Sequence, residues 1–297
     1  MVKTPVVDSH HHFVDPDRYD YPWMTGSKLV LRKRFMPEEF RPTLAENRID
    51  ATILVQTRIP MDETREWMAL AAETDFVAGV VGWVDLKSPT VAGDLSELLH
   101  RSDGRYLVGV RHKLHDEPDP NWILRDDVQR GVAAVRDAGI VFDLLIRPRE
   151  LPASLETVRR FPGLRFVIEH IAKPDIARRE VHTWAMGMAP FADCANVWCK
   201  LSGMVTEADL RGWTPSDFAP YVTRIMQWFG EERVMFGSDW PVCLLGGSYA
   251  EIKAALETCL GGVSLAGCRG AGWPPRREGP CTDTPWRVAS RARGCSS

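Results

Sequence analysis

The sequence predicts a (β/α)8 barrel over residues 1–262, and three observations support this fold class. Eight short apolar runs alternate with longer segments of helical spacing, an order typical of parallel sheets. Eight strand–helix units also fit the available length of a single barrel domain. The competing fold, an open doubly wound sheet, is disfavoured because no Gly-x-Gly-x-x-Gly follows the first strand.

The predicted strands share an apolar body and a polar carboxyl end. They cover residues 6–12, 51–57, 77–86, 107–114, 141–146, 165–172, 196–204 and 234–241. Apolar stripes at helical spacing predict helices over 62–74, 126–138, 214–229 and 248–260. The third of these begins at a Thr214 N-cap followed by Pro215, a residue well suited to a first helical turn.

The composition is that of an ordinary globular protein, with 44% hydrophobic and 26% charged residues. A net charge of -3 gives no reason to expect a nucleic-acid partner. We expect no membrane span and no exported leader, because no apolar run reaches about 18 residues. Cys194, Cys199 and Cys243 lack paired spacings, which favours reduced thiols and a cytoplasmic location.

The first strand ends in a His-x-His pair. Side chains alternate along a strand, so His10 and His12 share one face, with Asp8 one step below them. Such a pair can bind a divalent cation or flank a small substrate. A tag remnant is disfavoured by the surrounding strand sequence, whereas a purely structural role is an open alternative at this point.

Polar side chains also end the other seven strands. They are Gln56, Arg58, Trp83, Asp85, Arg111, His112, Lys113, Arg147, Glu169, His170, Lys200, Ser202, Ser238 and Asp239. The carboxyl ends of barrel strands share one mouth, so we expect these groups to converge there. Alternation sends Val108 and Val110 towards the helices and Arg111 towards the axis above Gly109. Rim salt bridges are the alternative role for His112, Arg147 and Glu169.

Six motifs run in order from Val6 to about Gly262. They are Val-Asp-Ser-His-His-His-Phe at 7–13, Tyr-Pro-Trp at 21–23, Val-Gly-Val-Arg-His at 108–112, Val-Ile-Glu-His-Ile-Ala-Lys-Pro at 167–174, Lys-Leu-Ser-Gly at 200–203 and Phe-Gly-Ser-Asp-Trp-Pro at 236–241. With these motifs the chain resembles the amidohydrolase superfamily, specifically its amidohydrolase 2 branch of lactonases and related hydrolases. The resemblance implies a (β/α)8 barrel, at most one metal, and attack of water on a small cyclic ester such as fuconolactone or rhamnonolactone.

The resemblance also implies the site residues. His10, His12, His170 and Asp239 match the superfamily's site and would hold any metal, with zinc favoured for imidazole and carboxylate ligands. Asp239 is the expected general base. The carboxylated lysine of two-metal members has no counterpart here, since Lys113 does not match its pattern. Catalysis without metal, in which His170, Arg111 and Lys200 polarise the carbonyl, is a second route left open.

The expected substrate is a small lactone. Arg58 and Arg111 can bind its oxygen atoms, while Gln56, Trp83 and Trp240 can supply hydrogen bonds and a stacking wall. For the two tryptophans, core packing explains their presence equally well. A metal-dependent decarboxylase that uses an arginine for the substrate carboxylate is the alternative enzyme class, and a catalytically impaired member of the fold is a third hypothesis.

Two segments stand outside this pattern. Residues 19–40 form an insertion that we expect either to cover the mouth or to contact another subunit, and the oligomeric state stays open. Residues 263–297 carry three cysteines and no apolar periodicity. We expect an irregular, disordered tail there, and an out-of-frame end of the gene explains its composition better than a functional extension or a metal-binding appendage.

Overall fold

The computed structural model describes residues 5–261, in which eight parallel strands form one sheet in sequence order. The strands are β1 (Val7–His11), β2 (Ala51–Val55), β3 (Val77–Gly82), β4 (Leu107–His112), β5 (Val141–Leu144), β6 (Phe166–Ile168), β7 (Val197–Leu201) and β8 (Val234–Phe236). The predicted barrel is confirmed. Each strand is shorter than predicted, because the polar residues at its carboxyl end leave the sheet and form the mouth.

The sheet closes between its first and last strands. The His12 amide donates to the Trp240 carbonyl at 2.7 Å, and the Asp239 amide donates to the His10 carbonyl at 2.8 Å. These two bonds hold the chain after β8 alongside the end of β1. Residues that are 228 and 229 positions apart in the sequence are therefore neighbours at the barrel mouth.

Helices cover the outside of the barrel. They are α1 (Pro37–Glu46), α2 (Met61–Glu73), α3 (Val91–His100), α4 (Asp126–Asp137), α5 (Leu151–Arg160), α6 (Val181–Met188), α7 (Pro215–Phe229) and α8 (Tyr249–Cys259). The four helices predicted above match α2, α4, α7 and α8 to within one residue at each end. The start of α8 is fixed by a capping box, in which the Ser248 hydroxyl accepts from the Glu251 amide and the Glu251 carboxylate accepts from the Ser248 amide.

The apolar core has an outer layer between strands and helices and smaller clusters within the sheet. Val110 belongs to the outer layer, as predicted. Val108 instead packs with Ile53, Val55 and Val81 in an inner cluster, so its predicted direction was wrong. The reason is a register shift between β3 and β4, which inserts one extra residue ahead of Gly109.

The insertion at 19–40 contains a 3-10 segment, Gly26–Leu31, that contacts the segment Val242–Leu245 after β8. It thus lies against a loop of the barrel mouth, which supports the predicted covering role. No helix within residues 5–261 is both long and apolar enough to cross a membrane. The predicted tail at 263–297 lies outside the described residues.

Candidate active site

Three imidazole rings point their Nε2 atoms at one carboxylate oxygen. The Oδ1 atom of Asp239 lies 3.3 Å from Nε2 of His12, 3.6 Å from that of His10 and 4.0 Å from that of His170. The Nε2 atoms of His10 and His12 are 3.2 Å apart. All four residues are buried, with at most 6% of any of them exposed. The structure thus brings together the four residues predicted to form the site.

The opposite nitrogen of each ring contacts a separate oxygen atom. His10 Nδ1 contacts the Glu169 carboxylate at 3.1 Å, His12 Nδ1 contacts the Val55 carbonyl at 2.8 Å, and His170 Nδ1 contacts the Ser202 hydroxyl at 2.9 Å. A carbonyl or carboxylate oxygen requires a hydrogen on the nitrogen that faces it. His10 and His12 are therefore protonated on Nδ1, and their Nε2 lone pairs face Asp239.

The charge states follow from burial. Burial lowers the pKa of His10 to about 3, although Glu169 opposes the shift, and it lowers the pKa of His170 well below the usual range. Both rings are neutral at pH 7. Burial opposes ionisation of Asp239, yet its pKa lies below the usual range for a carboxyl group. Asp239 is therefore ionised at neutral pH.

Backbone geometry and glycines make room for the rings. Residues 170–173 have φ angles between 46° and 60°, so a left-handed turn follows β6 and sets the position of His170. Gly203 also has a positive φ of 58°, and a Cβ atom there would lie 2.4 Å from His170 Nδ1. A Cβ atom on Gly237 would lie 2.7 Å from the His10 Cβ. Two of the sequence motifs therefore supply space for site histidines.

Beneath the histidines lies a buried network of two cations and two carboxylates. Arg111 donates to Glu169 at 2.8 Å, while Lys200 donates to Asp143 at 2.5 Å and to Glu169 at 3.2 Å. Each is at most 3% exposed. Burial opposes ionisation of Glu169, but Arg111, His10 and Lys200 hold the pKa of Glu169 well below the usual range. For Asp143 burial prevails and raises the pKa to about 7. The network balances charge and, through Glu169, orients His10.

This network changes the expectation for two predicted catalytic residues. Arg111 donates to Glu169 and to the Gln56 carbonyl, and Lys200 lies between Asp143 and Glu169, with Nζ 3.5 Å from His10 Nδ1. Both side chains are committed to partners within the barrel. They are placed to orient the site, whereas direct polarisation of a substrate carbonyl would require them to leave these partners.

The predicted substrate-binding residues divide into two groups. Gln56 is fully buried, and within residues 5–261 neither atom of its side-chain amide has a hydrogen-bond partner. Trp83 is partly exposed, and the Arg58 guanidinium lies 3.6 Å above the Tyr19 ring. These three can still contact a ligand. Trp240, in contrast, stacks on Phe40 with 4.2 Å between ring centroids and is 4% exposed, so its ring belongs to the core.

Sequence reasoning missed Asp143 and the role of Asp8, two residues that support the site. Asp143 lies inside an apolar strand, and a single charge in such a strand was the available signal. Asp8 accepts hydrogen bonds from the backbone of His10 and Ser238 and from the Tyr249 hydroxyl, so it joins β1, β8 and α8. Burial raises the pKa of Asp8 to about 6. The role of Asp8 required knowledge of which distant elements meet.

Arg147, His112 and Glu169, for which rim salt bridges were the alternative role, differ in the contacts that they make. Arg147 pairs with Glu207 at 3.3 Å, and its side chain is 46% exposed. His112 bonds Glu117 at 2.7 Å and stacks on Trp122. Both have the structural role. Glu169 also forms an ion pair, but it does so at the centre of the barrel, in contact with His10.

Comparisons with known proteins cover almost the same part of the chain. A family model described as "Amidohydrolase" matches residues 7–262. Two proteins named L-fucono-1,5-lactonase are similar to this chain. The one from Burkholderia ambifaria is 38% identical over 255 residues, 85% of this chain and 86% of that protein. The one from Burkholderia multivorans is 36% identical over 277 residues, 90% and 92% of the two chains.

A solved structure agrees with these matches. The crystal structure of an amidohydrolase from Burkholderia multivorans with bound zinc is 36% identical to this chain and superposes with a TM-score of 0.82. The superposition covers 90% of this chain and 95% of that one. The residues matched by the family model include His10, His12, His170 and Asp239.

Proposed function

This chain belongs to the amidohydrolase family and is a hydrolase, and from that premise we propose that it opens a small lactone of a sugar acid. The observation that carries the proposal is the convergence of three imidazole Nε2 atoms, all within 4.0 Å, on the ionised Asp239. The similarity to two proteins named L-fucono-1,5-lactonase makes L-fucono-1,5-lactone the first substrate to test.

The donor set fits one divalent cation. Ligand atoms of His10, His170 and Asp239 lie within 4.8 Å of one another, and His12 Nε2 adjoins Asp239. The lone pairs of neutral imidazoles and the negative charge of a carboxylate repel one another unless a cation lies between them. Zinc binds such a mixture of nitrogen and oxygen ligands. A cation held there supplies Lewis acidity, which makes a neighbouring water more acidic and an ester carbonyl more electrophilic. The solved relative with zinc supports this choice.

In the proposed reaction Asp239 accepts a proton from the attacking water. Asp239 is ionised at neutral pH and therefore ready to accept that proton. Because the rings of His10 and His170 are neutral, they form no ion pair with Asp239 that would compete with the proton of the water. Glu169 and Ser202 fix the ring orientations, so the site needs little rearrangement as the water attacks.

The decarboxylase alternative cannot use Arg111 as the structure places it, and its remaining candidate is Arg58, whose guanidinium lies over the Tyr19 ring. It requires an arginine that can bind a substrate carboxylate through paired N–H groups. Arg111 already uses its terminal nitrogens on Glu169 and the Gln56 carbonyl, which leaves Nε without a hydrogen-bond partner within residues 5–261. The hypothesis of an impaired member is disfavoured by the complete assembly of the four site residues.

A substrate panel tests the proposal. The purified protein is assayed with sugar-acid lactones, including L-fucono-1,5-lactone, and with aromatic carboxylic acids, with proton release and carbon dioxide as readouts. We expect proton release from a lactone, loss of that activity in His170→Ala, and full activity in His100→Ala, which alters an exposed helical histidine. Carbon dioxide release, or no turnover of any lactone, would contradict the proposal.

Treatment with a chelator tests the metal separately. We expect chelation to remove activity and added zinc to restore it. Full activity after chelation, at a measured zinc content near zero, would refute the metal while leaving lactone hydrolysis in place. A cytoplasmic location, the absence of a nucleic-acid partner and the division into a barrel at 1–262 and a tail at 263–297 stay predictions from composition and pattern.

A further inference from the structure

Three successive backbone carbonyls after β2 each hold a side chain of the barrel mouth. The Val55 carbonyl accepts from His12 at 2.8 Å, the Gln56 carbonyl accepts from Arg111, and the Thr57 carbonyl accepts from Lys113 at 2.8 Å. The carbonyl that holds Lys113 is two residues further along the chain than the one that holds His12. The three side chains therefore meet at residues 55–57, the part of the site wall that β2 supplies: His12 comes from the end of β1, and Arg111 and Lys113 come from the end of β4.

The wall is rigid at its outer end. Glu63, which is fully buried, accepts hydrogen bonds from the Thr57 amide at 2.9 Å, the Thr57 hydroxyl at 2.5 Å and the Arg58 amide at 2.8 Å. This carboxylate fixes the loop that carries the Thr57 carbonyl. Lys113 is therefore held in place by a loop that is itself anchored.

The ammonium group of Lys113 has unused donors. Its three N–H bonds meet a single acceptor within residues 5–261, the Thr57 carbonyl. Arg111 and Lys200, which are buried cations of the mouth, each contact a carboxylate, whereas Lys113 is half-buried. Among residues 5–261, Lys113 is thus a cation of the site wall without a carboxylate at bonding distance, and it is anchored two residues along the chain from the carbonyl that holds His12, a neighbour of Asp239.

We propose that Lys113 is the proton donor to the leaving oxygen of the lactone, a role that rests on the proposed lactone hydrolysis. The water oxygen bonds to the carbonyl carbon while Asp239 takes a proton from that water. The bond from this carbon to the ring oxygen then breaks, and the ring oxygen takes a proton from the Lys113 ammonium and becomes a hydroxyl. Lys113 regains a proton from solvent, and Asp239 releases one, so the net reaction consumes water and yields a hydroxy acid.

The environment of Lys113 suits a proton donor near neutral pH. Burial, together with the nearby Arg111 and the exposed Lys28, lowers the pKa of Lys113 to about 8, although Asp116 and Glu63 oppose the shift. A lysine with this pKa is largely protonated at pH 7 yet releases its proton far more readily than a lysine in water. Arg111 cannot substitute for it, because a guanidinium keeps its proton.

The test compares three variants on the best lactone of the panel, with kcat and KM measured between pH 6 and 9. Lys113→Met removes both charge and proton, and Lys113→Arg keeps the charge but not the transferable proton. General acid catalysis contributes about 10²- to 10⁴-fold, so we expect kcat to fall by at least about 10²-fold in both. Lys253→Met, which removes a cation of the outer helix α8 that pairs with Glu257, is the matched control and should keep the wild-type kcat.

The pH profile separates proton donation from charge. In the wild type kcat should decline above about pH 8, and this decline should be absent from both Lys113 variants. Retention of kcat by Lys113→Arg, or a rise in KM alone in Lys113→Met, would overturn the role. Thermal unfolding of each variant excludes loss of fold as the cause. If the wild type opens no lactone, the proposed function fails and this role fails with it; an active wild type with unimpaired variants refutes only the role of Lys113.

Discussion

Replacement of Gly203 by alanine perturbs the site at one defined atom. Gly203 has a φ of 58°, and its Cβ would lie 2.4 Å from His170 Nδ1, where ordinary contact begins at 3.4 Å. The left-handed backbone costs an alanine roughly 1–2 kcal/mol. Relief of the contact also requires the His170 ring to move by about 1 Å, a displacement that can lower the rate about 10²-fold. The substitution should therefore affect both stability and turnover.

Gly139→Ala is the matched control, because Gly139 has a φ of 70° and nothing within 4 Å of the added Cβ. Both variants should lose roughly 1–2 kcal/mol of unfolding free energy from backbone strain, measured by denaturant titration. Gly203→Ala should lose more than the control and should show a kcat reduced about 10²-fold, whereas Gly139→Ala keeps the wild-type kcat. A Gly203→Ala protein with wild-type kcat would refute the claim that the position of His170 limits the reaction.

Three further predictions concern the metal, the buried charges and pH. His10→Ala and His12→Ala should each lower the zinc content of the purified protein, as measured by elemental analysis; unchanged content would remove that histidine from the ligand set. Glu169→Gln leaves Arg111 and Lys200 short of a counter-charge and should cost about 3–5 kcal/mol in unfolding free energy, while the control Glu97→Gln stays within about 0.5 kcal/mol. Burial lowers the pKa of Lys113 from 10.5 to about 8. The folded protein therefore binds this proton less tightly than the unfolded chain does. This lowers the free energy of unfolding by up to about 3 kcal/mol below pH 8, and the loss disappears towards pH 10.5. Lys113→Met should consequently be more stable relative to wild type at pH 7 than at pH 10, and a pH-independent difference in thermal midpoint would contradict this.

The strand order and the main site residues could be predicted because both depend on local patterns. Apolar runs give the strands, and each run ends in residues whose polarity indicates a mouth, as with His10 and His170. The exact strand ends could not be predicted, since residues such as Ser202 continue an apolar strand in sequence but leave the sheet in the structure. That departure depends on neighbouring strands, which the local pattern does not contain.

The remaining differences arise from contacts between distant elements. Val108 faces inward because of a register shift between β3 and β4, and a register is a property of two strands. Trp240 packs in the core because Phe40, 200 positions earlier, stacks on its ring. The commitment of Arg111 and Lys200 to Glu169 and Asp143 likewise needs the closed barrel, which brings β4, β5, β6 and β7 together.

The rate of proton release from L-fucono-1,5-lactone by Asp239→Asn, compared with wild type at matched protein concentration and measured zinc content, tests the central claim most directly. Asparagine keeps the size of the side chain but cannot accept the proton of the attacking water. We expect a fall of at least about 10³-fold, with full activity in Asp137→Asn, whose side chain is 67% exposed. An Asp239→Asn protein that opens the lactone within tenfold of the wild-type rate would contradict the account.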